Sequence, residues 1–326
     1  MELRDLGFPD TAILPKDGGV GRVIEELKHH YRVMGPFGER LCKITGRLRK
    51  NPDVSQLPKV GDWVRLDPSQ DWTLITDVLP RKNALSRKVV GKKTQAHTLV
   101  TNLDRVFIVH SLDPSQFNMN RLERMTVLCA QNEIPYTIVL TKADLSSTSQ
   151  AHIDLVTQRF AAPVIATSLP LFLGFSALQA VILPQETYTF LGASGVGKSS
   201  LINVLMGHEV QKTRSVREAD YKGYHTTTSR TMLILPNGGI VIDTPGVREA
   251  QLWDESKEGL DHAFDDITEL ARACRFRDCK HVAETDCAVR QALQTDTLSL
   301  ARYDHYLKIR SEQTQLKQRK WEKRKR

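Results

Sequence analysis

No run of the chain reaches the roughly eighteen uninterrupted apolar residues that a membrane-spanning helix requires. The opening Met1-Glu-Leu-Arg-Asp5 also lacks the features of a secretory signal. A cytoplasmic protein with no membrane partner is expected. Cysteine is scarce: five occur in 326 residues, and only three of them lie close together. Three neighbouring thiols cannot close two disulfides, and a reducing compartment disfavours even one. No internal repeat is visible. The length exceeds what one small core needs, so two or three domains are expected.

Charge is present in excess and unevenly placed. Lys and Arg total 46 against 38 Asp and Glu, a net charge of +8. The last ten residues, Lys317 to Arg326, hold seven basic side chains and one acidic one, Glu322. A second cluster, Arg81 to Lys93, holds six basic residues and no acidic one. Clustered cations of this kind bind a polyanion through counterion release. The terminal run Gln318 to Arg326 reads either as a solvated tail or as an arm that binds such a polyanion.

The strongest motif is Gly192-Ala-Ser-Gly-Val-Gly-Lys-Ser199, a complete Gly-x-x-x-x-Gly-Lys-Ser pattern. It lies between an apolar run with strand character, Tyr188 to Leu191, and a helical segment, Ser200 to Met206. Gly192, Gly195 and Gly197 permit a backbone that turns successive N–H groups toward one anionic centre, aided by the positive end of the helix. Gly192, Ala193, Ser194, Gly195, Val196, Gly197, Lys198, Ser199 and Ser200 are thus candidate contacts to nucleotide phosphates. Lys198 is expected to act catalytically on the β and γ phosphates, and the Ser199 hydroxyl to take one position on Mg²⁺. By itself the loop leaves ATP and GTP equally open.

About fifty residues upstream, Thr141-Lys142-Ala143-Asp144 ends the apolar run Ile134 to Leu140. That is the carboxyl end of a predicted strand, where α/β sheets hold ligands. An aspartate there accepts from guanine N1–H and N2–H₂, groups that adenine does not offer in that arrangement. Thr141, Lys142 and Asp144 are therefore candidate base-reading residues for GTP. Their place before the phosphate loop inverts the usual order and points to a circularly permuted GTPase.

Further along, Gly239 to Asp243 is the returning strand of a hairpin turning at Pro236-Asn-Gly-Gly239. Asp243 is a candidate Mg²⁺ holder and the Gly246 amide a candidate γ-phosphate contact. In Gly223-Tyr-His-Thr-Thr-Thr-Ser229 a threonine, taken as Thr228, would complete the Mg²⁺ shell. Cys274, Cys279, His281 and Cys287 follow, with gaps of four, one and five residues. Three thiolates and one imidazole suit one tetrahedral structural zinc with no position left for catalysis. So short and charged a segment has little core, and zinc would supply much of its folding free energy.

The remaining pattern divides the chain. Short candidate strands at Arg40 to Thr45, Asp62 to Leu66 and Thr73 to Val78 mark a small β domain at residues 36–90, with Trp63 and Trp72 expected in its core. Residues 1–35 stay unassigned. Alternating strands and helices over 91–250 predict a doubly wound α/β domain. In it Arg105 to His110 reads as a buried strand. Leu122, Met125, Leu128 and Cys129 share one helical face. Residues 251–310 form the zinc segment, and 311–326 the basic tail.

Taken together these motifs resemble the RsgA or YjeQ family of circularly permuted GTPases, over about residues 38 to 295. The resemblance rests on Val60-Gly-Asp-Trp-Val64, Leu79 to Arg87, Gly192 to Ser200, His225-Thr-Thr-Thr228, Asp243-Thr-Pro-Gly246 and the cysteine cluster. Two departures are visible. Thr141 stands where Asn is more usual, and no Ser-Ala backing for the base shows near Ala166-Thr-Ser168.

The resemblance implies an α/β fold: a permuted P-loop GTPase domain between an N-terminal OB-fold β-barrel that binds RNA and a mostly helical C-terminal zinc module. It implies a monomer acting in late assembly of the small (30S) ribosomal subunit, in contact with 16S rRNA, and hydrolysing GTP to GDP. Val247 occupies the position where many GTPases carry glutamine, so His225 is the candidate for orienting water. Slow basal hydrolysis, accelerated by a partner, follows. The permutation also leads the segment after Asp243 straight to the zinc module, so loss of the γ phosphate is expected to shift that module relative to the β domain. Three readings stay open: this one, including a variant with a non-ribosomal RNA partner; an ATP-using kinase, against which Asp144 argues; and a scaffold with a degenerate GTPase, against which Lys198, Ser199 and Asp243 argue.

Overall fold

The computed structural model describes residues 1–9, 19–50, 56–67, 72–89, 95–145, 147–209, 231–243, 264–276, 278–300, 302–304, 306–307 and 310–311. Five strands open the chain: β1 (Gly19–Glu26), β2 (Tyr31–Gly35), β3 (Gly38–Ile44), β4 (Trp63–Asp67) and β5 (Thr73–Val78), with a one-turn helix, α1 (Gly46–Arg49), after β3. They pair in the order β1-β2-β3-β5-β4, and β4 returns to β1 from Gly19↔Leu66 to Arg22↔Trp63. Closure removes the open edges that would invite aggregation. The β3–β5 pair is parallel and the rest antiparallel, which is the strand order of an OB-fold. Irregularities at Val23/Glu25 and Arg65/Leu66 bend the strands enough to close the barrel.

The barrel begins at residue 19, inside the segment the sequence leaves unassigned, rather than at 36. Its interior is Val23, Val33, Cys42, Val64, Leu66 and Ile75. At Gly21 a Cβ would stand 2.5 Å from the Val33 side chain, so a larger residue there would collide with this core. Trp63 is buried, edge-on to Phe8 with ring centroids 4.7 Å apart. Trp72 departs from expectation: it is 40% exposed at the start of β5. Lys43 Nζ sits 3.6 Å from its ring centre and His30 lies beside it. A cation over the ring lets that indole stay outside the core.

A separate two-stranded hairpin, β6 (Ala84–Val89) and β7 (Gln95–Thr101), leads into the α/β domain. Its parallel strands are β8 (Arg105–Ser111), β9 (Tyr136–Thr141), β10 (Val164–Ala166), β11 (Thr187–Leu191) and β13 (Ile240–Asp243). They lie in the order β10-β9-β8-β11-β13, with β12 (Thr231–Ile234) antiparallel outside β13. Helices cover both faces, which explains why these strands read as continuous apolar runs rather than alternating ones. On one face α2 (Met119–Gln131) packs through Leu122, Met125, Leu128 and Cys129. On the other, α4 (Phe175–Ala180) and α5 (Lys198–Met206) contribute Leu178, Leu201, Ile202 and Leu205.

Barrel and α/β domain share a polar joint. The fully buried Arg22 donates to the carbonyls of Leu6, Gly61 and Asn102. Asn102 Nδ2 donates in turn to Gly61 at 2.9 Å, and Arg81 grips the buried Asp62 with two bonds of 2.8 and 2.7 Å. The guanidinium's planar fork of N–H groups suits such multiple donation. Among the described residues no helix is long and apolar enough to cross a membrane.

Beyond residue 263 two short helices, α6 (Asp265–Arg272) and α7 (Ala288–Gln294), flank the cysteines. Their core joins Phe264, Ile267, Val289, Ala292, Leu298, Tyr303 and Tyr306 with Cys279 and Cys287. The module is fixed to the α/β domain by charge. Arg302 donates to Glu123 of α2 at 2.8 Å and to Asp266 of α6 at 2.8 and 3.1 Å, and its guanidinium lies 4.0 Å from the centre of the Phe264 ring. Arg159, at the end of α3 (Ser149–Arg159), shares Glu123 at 3.1 Å.

Candidate functional site

The phosphate loop begins where β11 ends. At Gly192 a Cβ would stand 2.3 Å from the Val109 carbonyl oxygen, so only glycine lets the chain pass β8 this closely. Gly195 and Gly197 take φ of 79° and 102°, the left-handed region that admits glycine freely. Val196 between them is buried and pins the loop to the core. Gly197 caps α5, whose first turn presents Lys198, Ser199 and Ser200 at the positive end of the helix dipole. Lys198 Nζ donates to the carbonyls of Gly192 and Ala193 at 2.8 and 2.6 Å, so the ammonium spans the mouth of the loop.

Residues far apart in sequence meet here. Thr141, at the end of β9, is buried, and its hydroxyl donates to the Val196 carbonyl at 2.6 Å. Lys142 follows with φ 59°, and Asp144 closes the turn. Asp144 Oδ1 accepts from the Ser168 hydroxyl at 2.5 Å, and the Ala143 N–H donates to the Thr167 carbonyl at 3.1 Å. Ser168 thus supplies the backing that the sequence does not reveal near Ala166-Thr-Ser168. The signal was a serine two residues after a short strand, too common a pattern to stand out. Asp243 ends β13 at the same carboxyl edge, one strand beyond β11. His225, Thr228, Gly246 and Val247 lie outside the described residues.

The cysteine cluster assembles as its spacing predicts. The ligand atoms of Cys274, Cys279, His281 and Cys287 all lie within 4.8 Å of one another. Cys274 Sγ stands 3.8 Å from Cys287 Sγ and 3.6 Å from His281 Nδ1, and His281 Nδ1 lies 3.4 Å from Cys287 Sγ. Tetrahedral zinc, with bonds of about 2.3 Å to sulfur and 2.0 to 2.1 Å to nitrogen, separates its ligands by about 3.6 to 3.8 Å. The donor set and its spacing fit that ion. Two supports hold the loop. Tyr303 donates to the His281 carbonyl at 2.5 Å. Glu284 collects the N–H groups of Lys280, Val282 and Ala283, and these bonds draw its carboxyl down to about pKa 2.

A phosphate loop, a guanine-type reader placed before it in the chain, and a zinc-type cluster after it agree with comparison to known proteins. The family model described as RsgA GTPase matches residues 78–253. The chain belongs to the RsgA GTPase family. It is 40% identical over 304 residues to the protein named small ribosomal subunit biogenesis GTPase RsgA 1 of Oceanobacillus iheyensis, covering 90% of this chain and 84% of the relative. It is 42% identical over 279 residues to RsgA 2 of Vibrio vulnificus, covering 85% and 78%. Among solved structures, YjeQ from Thermotoga maritima superposes with a TM-score of 0.67 at 27% identity, over 91% of this chain and 98% of that one. The structure described as YloQ, a circularly permuted GTPase, gives 0.63 at 28%, over 93% and 96%. This RsgA-family chain is thus a circularly permuted GTPase with an N-terminal OB-fold.

Proposed function

We propose that this chain acts in assembly of the small ribosomal subunit, binding rRNA through its barrel and basic segments and hydrolysing GTP to GDP and phosphate. The names of the RsgA relatives support the ribosomal assignment. The observation that carries the nucleotide assignment is the meeting of Asp144, backed by Ser168, with the phosphate loop at one sheet edge. Asp144 reads guanine, Lys142 lies along the purine, and the loop from Gly192 to Ser200 cradles the phosphates. Ser199, Thr228 and Asp243 are the residues that would hold Mg²⁺, which when bound neutralises charge on the β and γ oxygens. His225 orients the attacking water, Lys198 stabilises the developing charge on the transferred phosphoryl group, and the Gly246 amide contacts the γ phosphate. Cys274, Cys279, His281 and Cys287 bind one structural zinc. The protein works as a cytoplasmic monomer.

GTP hydrolysis by the purified chain, alone and with small subunits, tests this reading, with large subunits and ATP as controls. Strong stimulation by small subunits only is expected. Unchanged hydrolysis, with GTP still bound, would move the search to another RNA partner.

A further inference from the structure

The sheet order places β8 between β9, which carries Thr141 and leads to Asp144, and β11, which leads into the phosphate loop. The chain leaving the carboxyl end of β8 therefore emerges between base reader and phosphate cradle, at the edge where open α/β sheets hold ligands. That segment is Ser111-Leu-Asp-Pro-Ser-Gln-Phe117. Its shape is fixed from within. The Asp113 N–H donates to Ser111 Oγ at 3.1 Å, and the Asp113 carboxylate accepts from the Ser115 N–H and hydroxyl at 3.0 and 2.7 Å. The N–H groups of Gln116 and Phe117 both close on the Asp113 carbonyl at 2.8 Å. Phe117 then anchors the turn, edge-on to His110 and stacked on His152 with centroids 4.1 Å apart.

This turn holds Gln116, half-buried, with its two ends toward the two halves of the site. Oε1 accepts from Lys142 Nζ at 3.0 Å. Nε2 lies 4.0 Å from the point where a side chain on Gly195 would begin. The Asp113 carboxylate stands 4.0 Å from the same ammonium. Lysine carries a compact charge on a flexible stem, so something must fix where it points. A carboxamide does this without turning charge toward phosphates, because it offers an acceptor on one side and two N–H donors on the other. A carboxylate would hold the cation and repel the phosphates. An aliphatic side chain would do neither.

We propose that Gln116 is a nucleotide-positioning residue: its Oε1 fixes the Lys142 ammonium on the purine side, and its Nε2 offers a donor to the phosphate side at Gly195. This rests on the guanine-nucleotide reading above. The test measures GDP and GTP affinity of the full chain carrying Gln116→Met, which keeps bulk without polarity, and Gln116→Glu, which keeps only the acceptor. Gln116→Met is expected to weaken GDP and GTP alike by about tenfold, the scale of a hydrogen bond to a charged group. Gln116→Glu is expected to leave GDP within about threefold of wild type, because the charged acceptor holds Lys142 more strongly, and to weaken GTP about tenfold, because the carboxylate repels the more highly charged triphosphate more. That deficit should shrink as salt screens the repulsion.

Wild-type affinities in both variants, or equal losses of both nucleotides in both variants, would overturn the proposal. Equal losses with a lowered thermal midpoint would mark a purely structural residue and overturn it too. Asp144→Asn and Lys198→Ala separate the two levels. If they abolish guanine-nucleotide binding while Gln116 variants bind normally, only this inference fails; if they bind normally, the guanine-nucleotide reading itself is wrong.

Discussion

The Thr141 hydroxyl donates to the Val196 carbonyl at 2.6 Å, joining two motifs 55 positions apart. This bond ties the base reader to the middle of the phosphate loop, and it does so with a residue that departs from the more usual asparagine. The hydroxyl also lies 3.3 Å from the His110 carbonyl, so three adjacent strand ends share one small side chain. Thr141→Val preserves shape and removes the donor, leaving a buried carbonyl unsatisfied at a cost of about 1–3 kcal/mol. GTP and GDP affinities are expected to fall about tenfold, with Thr141→Ser close to wild type. Titration calorimetry on the two variants checks this; equal affinity for Thr141→Val and wild type would refute the brace.

Ser168 makes the comparable contact on the other side of the reader. Its hydroxyl restrains the carboxylate that is proposed to grip guanine N1–H and N2–H₂. Ser168→Ala frees Asp144 to rotate, and discrimination should suffer more than affinity for a base with one donor. The ratio of GTP to ITP affinity, measured by competition, is expected to drop severalfold. An unchanged ratio would mean that Asp144 is oriented by other means.

Which of these relationships the sequence could show depends on whether chemistry forces residue type and spacing together. The phosphate loop, Asp144 and the Cys3His set are of that kind: glycines must turn, a carboxylate must accept, and four ligands must fit around one ion. Ser168 and Gln116 are of the other kind, since each acts on a partner more than twenty positions away and has no local pattern to betray it. β1 was illegible for a similar reason. Its buried Val20 and Val23 are separated by Gly21 and a buried Arg22, a run without strand alternation that stays unassigned until Gly61 and Asn102 supply acceptors for the guanidinium. Trp72 reads as a core residue because large aromatics usually are; Lys43 and His30 cover its ring at the surface instead.

Arg302 and Glu123 are each about 95% buried in their side chains and hold the C-terminal module to α2. Removing one member of a buried pair costs about 3–5 kcal/mol when the other is left alone, and less here because Arg302 keeps Asp266 and Glu123 keeps Arg159, whereas replacing both with apolar groups is often neutral. Glu123→Gln should therefore loosen the module, detected as faster amide exchange across α6 and α7. The double change Glu123→Leu with Arg302→Met should restore much of the protection. Equal exchange in all three proteins would show that the apolar core alone holds the module in place.

Chelation bears on the same module from its other side. The proposed zinc would supply much of the local folding energy, so a strong chelator or Cys279→Ser should collapse protection in α7 while leaving the central sheet intact. GTP affinity should change by less than about twofold, because the phosphate loop has its own core in Val196, Leu201 and Ile202. A loss of nucleotide binding in step with zinc would tie the two sites together more closely than their separate cores suggest.

His110 sets an acid limit on the domain. The ring is fully buried at the end of β8, where Nε2 accepts from the Asn118 N–H at 2.9 Å and Nδ1 has no partner among the described residues. Burial, helped by the nearby Arg121 charge, lowers its pKa from 6.5 to about 4. Unfolded, the imidazole takes up a proton near 6.5; folded, it resists until about 4. Between those values the unfolded chain holds more protons, so stability falls as pH falls, by about 2–3 kcal/mol on approaching the lower value. Above 6.5 the residue contributes no pH dependence. His110→Gln keeps an acceptor for Asn118 and removes the titration. Unfolding free energies at pH 7 and pH 4.5 should therefore differ less in the variant than in wild type by roughly that amount. Parallel losses in the two proteins would place the acid sensitivity elsewhere.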